Sequence, residues 1–380
     1  MALDPETFSQ LLDTVERFVR ERLIPAEEQV AETDEIPAEI LAEMRELGLY
    51  GLSVPEAFGG LGLSMSEEVE VCFRLGLTSP AFRSAIGTNV GIGSQGIVID
   101  GTEEQKAYWL PRIASGETIA SFALTEPEAG SDAASLRTTA RKDGDHYVVN
   151  GTKRFITNSP HAGVFTLMAR TGGAGAGGIS AFLVPAGTPG IRIGKRDRKM
   201  GQRGAHTADV IFEDCRVPAS AIIGGREGQG FKTAMKTLDK GRLHIAAICV
   251  GVAERLIEES VRYARERKQF GQAIGEFQLI QAMLADSRTE TYAARSMVKD
   301  AARRRDAGEV ISMEASCCKL FASEMVGRVA DRAVQIYGGS GYVADYPVER
   351  FYRDVRLFRL YEGTSQVQQI VIARQMLKEG

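Results

Sequence analysis

The sequence predicts a mainly α-helical protein with a central β domain, and three observations support this prediction. Apolar residues recur at helical spacing through the first third of the 380-residue chain. Near residue 120 the period changes to short β-rich runs, and helical spacing returns after residue 230. Helices, then strands, then helices differ from the alternation of a doubly wound sheet. We therefore predict three domains, at residues 1–119, 120–228 and 229–380.

The N-terminal domain is predicted to consist of helices. Apolar spacing over residues 8–23 indicates an amphipathic helix, which we expect Pro25 to end. Residues 38–47 predict a second helix, and helical spacing resumes, with interruptions, over residues 65–109.

Residues 91–96 match G-x-G-x-x-G, but no strand–helix–strand unit surrounds them, so a dinucleotide fingerprint is not supported. Their glycines indicate either close main-chain packing or a roomy pocket wall.

The middle domain is predicted from short runs of β-forming residues. Residues 147–149 and 154–156 flank Asn150-Gly151, which predicts a hairpin on an Asn-Gly turn. The glycine-rich segment 172–178 is expected to be a surface loop. Further strands are predicted at 164–169, 179–184, 190–194 and 208–213. After residue 230, apolar faces at 256–264 and 279–284 predict the helices of the third domain.

Composition excludes several classes of function. The chain is 44% hydrophobic and 25% charged with a net charge of −4, whereas a nucleic-acid binder normally carries a basic excess. No apolar stretch is long enough to cross a bilayer, and the acidic amphipathic start resembles neither a signal nor a transit peptide. Five cysteines without C-x-x-C and four histidines without H-E-x-x-H indicate reduced thiols and no metal site. We expect a cytoplasmic protein.

Two segments are specific enough to suggest chemistry. In residues 123–132, ALTEPEAGSD, proline and glycine shape a turn whose hydroxyls and backbone N–H groups suit either a ligand or the turn itself. The second segment runs from Gln335 through a glycine-rich turn to Gln366. Within it, Glu362 is either a carboxylate held away from water or a surface acid near a helix start.

These motifs resemble those of the acyl-CoA dehydrogenases, a family of flavoproteins. Residues 123–132 resemble the family's first signature, residues 335–354 its second, and LYEGTSQVQ, from residue 360, the segment that carries the catalytic base. The likeness covers essentially the whole chain. It implies an N-terminal helical domain, a middle β-barrel or sandwich and a C-terminal four-helix bundle.

The resemblance implies FAD as the cofactor. Residues 122–131 match the loop around the isoalloxazine ring, and Thr157 matches the hydrogen-bond partner of its N5 atom. Phe155 stands where many relatives have tryptophan. The FAD contacts implied within one chain are Phe122, Leu124, Thr125, Gly130, Ser131, Phe155, Ile156, Thr157, Thr364 and Gln366. Those implied to reach the FAD of a neighbouring subunit are Arg267, Phe270, Gln278, Gln335, Gly338 and Gly339.

The resemblance also implies a reaction. Glu362 would remove the α-proton of an acyl-CoA thioester while hydride passes from Cβ to FAD N5, which yields a trans-2-enoyl-CoA. Some relatives take their base from the position of Gly241, and glycine there leaves Glu362 as the candidate. Burial beside apolar carbon should raise the pKa of this carboxyl group. The substrate path would be lined by Ser131, Asp239, Arg242, Tyr361 and Gly363.

Partners and alternatives complete the prediction. The resemblance implies an electron-transferring flavoprotein as electron acceptor and a homo-oligomer, expected to be a tetramer. Residues 238–242 resemble short-chain members, which favours a short-to-medium or branched acyl group. The alternatives are an acyl-CoA oxidase using O₂ and a non-catalytic acyl-CoA-binding relative. A flavin monooxygenase of this fold would not need Glu362.

Overall fold

The computed structural model describes residues 3–378 and is 60% helical. Within these residues, seven α-helices precede the first strand, which confirms the helical N-terminal domain. Ser64 and Thr102 begin two of them with capping boxes, each satisfying two free N–H groups at a helix start. The helices are α1 (Pro5–Phe18), α2 (Ile24–Thr33), α3 (Ala38–Glu46), α4 (Met65–Leu75), α5 (Pro80–Val90), α6 (Gln95–Asp100) and α7 (Glu103–Ala114).

Pro25 does not end the first helical run, so that prediction was wrong. A π-helical turn at Val19–Leu23 links α1 to α2, and the Ile24 N–H donates to the Val19 carbonyl. Pro25 then lies in the first turn of α2, where its missing N–H costs no hydrogen bond. The chain therefore stays helical until Asp34, which adopts a left-handed conformation.

The middle of the chain forms a seven-stranded mixed sheet. Strand β1 pairs in parallel with β4, which also pairs with β5, while β3 and β7 form a long antiparallel pair. The segment 172–177 is exposed, as predicted. The strands are β1 (Ala120–Ala123), β2 (Thr139–Asp143), β3 (His146–Thr157), β4 (Val164–Arg170), β5 (Ile179–Pro185), β6 (Ile191–Ile193) and β7 (Thr207–Pro218).

The predicted hairpin at Asn150-Gly151 was also wrong. Both residues lie inside β3, where the register against β7 shifts between Val149 and Gly151. A Cβ at Gly151 would collide with Thr138, so this glycine serves close strand packing rather than a turn. The turn instead joins β2 to β3 at Gly144, whose φ is 64°.

Five further helices form the C-terminal domain, and four of them form a bundle in which three helices pack around α10. A short hairpin of β8 (Lys268–Gln269) and β9 (Gln272–Ala273) separates the first two. Residues of the N-terminal helices and of this bundle share one hydrophobic core. The helices are α8 (Gly230–Glu266), α9 (Gln278–Asp306), α10 (Ser312–Tyr337), α11 (Pro347–Val355) and α12 (Ser365–Met376), and the bundle consists of α8, α9, α10 and α12.

Within residues 91–96, Gly93 serves close packing. A Cβ at Gly93 would lie 2.6 Å from the Ala120 carbonyl oxygen, where α5 meets β1. The sequence interpretation of main-chain packing is thus confirmed at this position. The helix–strand–helix order is confirmed as well, while the domain boundaries near residues 119 and 229 stay predictions. Within residues 3–378, no helix is long and apolar enough to span a membrane.

Candidate active site

A cavity of about 410 Å³ lies where the three parts of the chain meet. Helix α5, the β1 and β3 ends, α8 and the segment before α12 all contribute to its walls. It brings together most of the residues that sequence reasoning singled out. The predicted residues that line it are Phe122, Leu124, Thr125, Gly130, Ser131, Phe155, Ile156, Thr157, Arg242, Tyr361, Glu362 and Gly363.

The loop that follows β1 is anchored from below by Glu126. This buried carboxylate accepts hydrogen bonds from the backbone N–H groups of Arg137 (2.6 Å) and Thr138 (2.9 Å). Its Oε1 atom also lies 2.7 Å from Nζ of Lys153, which is fully buried and donates to the Leu124 carbonyl at 3.0 Å. Burial alone would raise the pKa of Glu126, but Lys153 and the N–H donors lower it overall.

The end of β3 presents Phe155 to the cavity. A shift in register against β7 between Lys153 and Ile156 turns this residue outward, with φ at 57°. Its side chain is 58% exposed although large aromatic groups are usually covered. On the neighbouring strand, Ser121 Oγ donates to the Thr157 carbonyl at 2.8 Å, which fixes the end of β3 against β1.

Glu362 faces the cavity from a strained turn before α12. Its φ is 52°, a left-handed value that is unusual for glutamate, and Gly363 follows at 90°. The Oε2 atom is buried and has no hydrogen-bond partner among residues 3–378. Burial raises the pKa of Glu362 above its ordinary value, although nearby positive charges, led by Arg83, oppose the shift. The arrangement suits a proton acceptor.

Gly241 makes room for this carboxylate. A Cβ at position 241 of α8 would collide with Glu362 Oε2. In the sequence analysis, glycine at position 241 left Glu362 as the candidate base. In the structure, the same glycine creates the space that the Glu362 carboxylate occupies.

Lys319 supports the turn from behind. This side chain of α10 is fully buried, and its Nζ donates to the Gly363 carbonyl at 2.7 Å. Gln368 Nε2 donates to the same oxygen at 3.0 Å and to the Glu362 carbonyl at 3.1 Å. Burial lowers the pKa of Lys319 to about 8. Sequence reasoning gave neither residue a role: Gln368 ends the LYEGTSQVQ segment without being singled out, and a lysine inside a helix gives no sign of its burial.

Some predicted residues flank the cavity without lining it. Asp239 forms a salt bridge with Arg242 at 2.6 Å and accepts from Ser312 Oγ at 2.5 Å. Thr364 caps α12 through the Val367 N–H, and Gln366 is exposed.

A further group lies at one end of the bundle, where α8, the β8–β9 hairpin, α9 and α10 meet around Ile274 and Ile336. All its members are exposed, and none lines the cavity: Arg267, Phe270, Gln278, Gln335, Gly338 and Gly339.

The cavity also contains polar residues that sequence reasoning did not identify, chiefly Arg83, Lys199 and Gln202. Gln202 has a φ of 52° and is tied to α11 by the carboxylate of Asp354, which accepts from its backbone N–H. A signal for Arg83 existed, since it is the one charged residue between Arg74 and Asp100.

Comparison with known proteins decides the family. Models of the N-terminal, middle and C-terminal domains of acyl-CoA dehydrogenases match residues 5–117, 121–215 and 228–377. The chain belongs to the acyl-CoA dehydrogenase family. It is therefore an FAD-dependent oxidoreductase of this family, as its motifs predicted.

Several individual proteins are similar over nearly their full length. Acryloyl-CoA reductase (NADH) of Anaerotignum propionicum is 45% identical over 95% of this chain and 92% of its own. Butyryl-CoA dehydrogenase from Megasphaera elsdenii has a TM-score of 0.95 and 35% identity over 99% of each chain. A chain solved in work on the electron transferring flavoprotein of Acidaminococcus fermentans has a TM-score of 0.95 and 40% identity, over 100% of this chain and 99% of its own.

The residues of the cavity fit FAD. Phe155 offers an exposed aromatic face for a flat ring system. The side-chain hydroxyls of Thr125, Ser131 and Thr157 line the same space and form no hydrogen bond with any residue from 3 to 378. They are thus free to bind the polar edge of a flavin, as the resemblance implied.

Proposed function

We propose that this protein oxidises an acyl-CoA thioester to a trans-2-enoyl-CoA, with Glu362 as the base. The observation that supports this most strongly is the buried, unpartnered Oε2 atom that Glu362 presents to the cavity. A carboxylate without compensating hydrogen bonds binds a proton more readily than an exposed one. It therefore matches the weak acidity of a thioester α-carbon better than an ordinary glutamate would.

The backbone beside the base favours the same reaction. The Glu362 N–H donates no hydrogen bond within residues 3–378, although buried amides are normally paired. A thioester carbonyl bound to this N–H would place its α-carbon beside the carboxylate and stabilise the developing enolate. FAD, when bound, supplies the acceptor for the hydride that leaves Cβ. Phe122, Leu124 and Met235 give the cavity apolar walls, which exclude water from this step.

The substrate, by this proposal, carries a short-to-medium or branched acyl group. The resemblance of residues 238–242 to short-chain members supports this choice. Specificity constants for acyl groups of increasing length should peak at the short end. A peak at sixteen carbons would contradict the assignment.

An electron-transferring flavoprotein is the proposed electron acceptor, and a homo-oligomer is the proposed assembly. The exposed group around Ile274 and Ile336 supports the assembly, because its members match positions that contact FAD across a subunit boundary. Arg267→Ala should weaken FAD retention and subunit association together. A monodisperse monomer with full FAD occupancy in light scattering would contradict this proposal.

The test of the reaction is anaerobic mixing of the holoenzyme with acyl-CoA thioesters while flavin absorbance is recorded. We expect rapid bleaching, formation of the 2-enoyl-CoA and reoxidation by an electron-transferring flavoprotein. Fast oxygen consumption would indicate an oxidase instead. Absence of bleaching by every thioester, despite binding, would indicate a non-catalytic relative.

The same step in the reducing direction is a second candidate. It is favoured by the 45% identity with an acryloyl-CoA reductase. In the reducing direction Glu362 would donate the α-proton as an acid instead of removing it as a base. The two candidate functions therefore differ in physiological direction and use the same site chemistry. Comparing reduction of 2-enoyl-CoA with oxidation of acyl-CoA at matched concentrations would separate them.

A further inference from the structure

Arg83 is the feature of the cavity that the proposed function leaves unexplained. It is the sole charged residue in the 25-residue stretch from Leu75 to Ile99, and it lies on α5 among buried residues. Its guanidinium brings a positive charge and a planar set of N–H donors to the cavity wall.

No acidic group among residues 3–378 is paired with Arg83. Within residues 3–378, it forms neither a salt bridge nor a side-chain hydrogen bond, in contrast to Arg242, which is paired with Asp239. Lys199 is another cation of the cavity wall, but three aspartates (Asp34, Asp197 and Asp354) act on it electrostatically. The carboxyl group that Arg83 acts on is Glu362, yet the two do not form an ion pair.

The backbone of α5 is shaped to accommodate this guanidinium. A Cβ at Gly87, one turn further along the helix, would lie 2.8 Å from Arg83 Nη1. The guanidinium therefore lies against the bare helix backbone at Gly87, where both residues line the cavity. A planar fork held in this way is suited to a bidentate contact with a carboxylate.

We propose that Arg83 binds a carboxylate at the far end of a short acyl group, so that the substrate is the CoA thioester of a dicarboxylic acid. This inference rests on the proposed function, because the thioester end must lie at Glu362. Arg83 and Glu362 line one cavity, and Arg83 is the positive charge that acts most strongly on the Glu362 carboxyl group, so the two ends of one short acyl group fit between them. A negative charge from the substrate would complete the pairing that the protein lacks.

The experiment compares glutaryl-CoA with pentanoyl-CoA, which has the same number of acyl carbons but no terminal charge. The holoenzyme should show a kcat/KM for glutaryl-CoA at least tenfold above that for pentanoyl-CoA. Arg83→Met should lower the ratio of kcat/KM for glutaryl-CoA to that for pentanoyl-CoA by about 10–100-fold, the range for a charge-assisted hydrogen bond. The ratio is the readout because Arg83 also acts on the Glu362 carboxyl group, and a change there affects both substrates alike. Arg83→Lys should retain part of the preference, and Arg141→Met, at an exposed strand position, should leave both values unchanged.

A second readout separates this inference from the proposed reaction. Calorimetric binding of both thioesters to Glu362→Gln holoenzyme, with and without Arg83→Met, requires no turnover. If neither thioester bleaches the flavin of the unmodified enzyme, but glutaryl-CoA binds more tightly than pentanoyl-CoA and loses this advantage in Arg83→Met, the proposed reaction is wrong and the binding inference stands. The inference would be overturned if the unmodified enzyme preferred pentanoyl-CoA. It would also be overturned if Arg83→Met lowered kcat/KM equally for both thioesters, which would make Arg83 a counter-ion of Glu362.

Discussion

Two glutamates at or near the cavity are held in opposite ways. Glu126, beneath the loop after β1, accepts two backbone N–H groups and a buried lysine, and its pKa is lowered. Glu362, before α12, has an unpartnered Oε2 atom, and its pKa is raised. Burial raises the pKa of both carboxyl groups. At Glu126 the salt bridge to Lys153 and the N–H donors outweigh this effect, whereas at Glu362 the nearby positive charges do not.

This contrast separates scaffold from chemistry. A carboxylate that accepts hydrogen bonds from two backbone N–H groups and a buried lysine holds the surrounding backbone in place, and these donors lower its affinity for a proton. A carboxylate left without donors costs stability, and it is retained where a proton must be accepted. We therefore expect the same Glu→Gln substitution to have different consequences at the two positions.

The largest effect is expected for Glu362→Gln. The amide keeps the shape and the backbone N–H but cannot accept the α-proton, so anaerobic flavin bleaching should slow by about 10²–10⁴-fold or more. FAD content, thermal stability and affinity for a CoA ligand should be nearly unchanged. Bleaching within a few-fold of the unmodified rate would assign the base to another residue.

Glu126→Gln should show the reverse pattern. It leaves Lys153 buried without a compensating charge, a change that costs roughly 3–5 kcal/mol when a buried ion pair is broken. Denaturant titration should detect this loss, and FAD should dissociate faster. The loss should be fully present at pH values above the usual carboxyl range and shrink as pH falls through the lowered pKa of Glu126. A large fall in bleaching rate per bound FAD would remove the distinction between the two glutamates.

A smaller effect is expected for Gly241→Ala. Alanine in a helix is normally favourable by up to about 1 kcal/mol over glycine, but here its methyl group would displace the Glu362 carboxylate. We expect a fall of roughly tenfold in bleaching rate, in keeping with a misplaced catalytic group. Gly327→Ala in α10 is the matched control, because its Cβ would lie 3.4 Å from the flexible Arg359 side chain. Equal rates for both variants would show that Gly241 does not position the base.

The sequence predicted the order of elements and most of the cavity wall, because periodicity and family motifs are local signals. It failed where tertiary context decides. Pro25 is tolerated through a π turn, and Asn150-Gly151 is extended because β7 pairs with it. The support of Glu362 by Lys319 and the exposure of Arg83 to the cavity depend on helices far apart in the chain. A single sequence does not show which distant side chains meet.

The central claim, that burial makes Glu362 a base of raised pKa, is tested most directly by the pH dependence of kcat/KM, which reports on the free enzyme. Because the base must be ionised, activity should fall as pH decreases, with a midpoint above the usual 4.5 of a glutamate. Burial raises the pKa of Asp354 to about 6, which is also above 4.5. Asp354→Asn enzyme should therefore be measured in parallel, and its activity should show the same fall at low pH. Binding of a non-reactive CoA thioether across the same pH range corrects for ionisation of the ligand. A fall in kcat/KM with a midpoint at or below pH 4.5 would contradict the account, and so would a fall that disappears in Asp354→Asn enzyme.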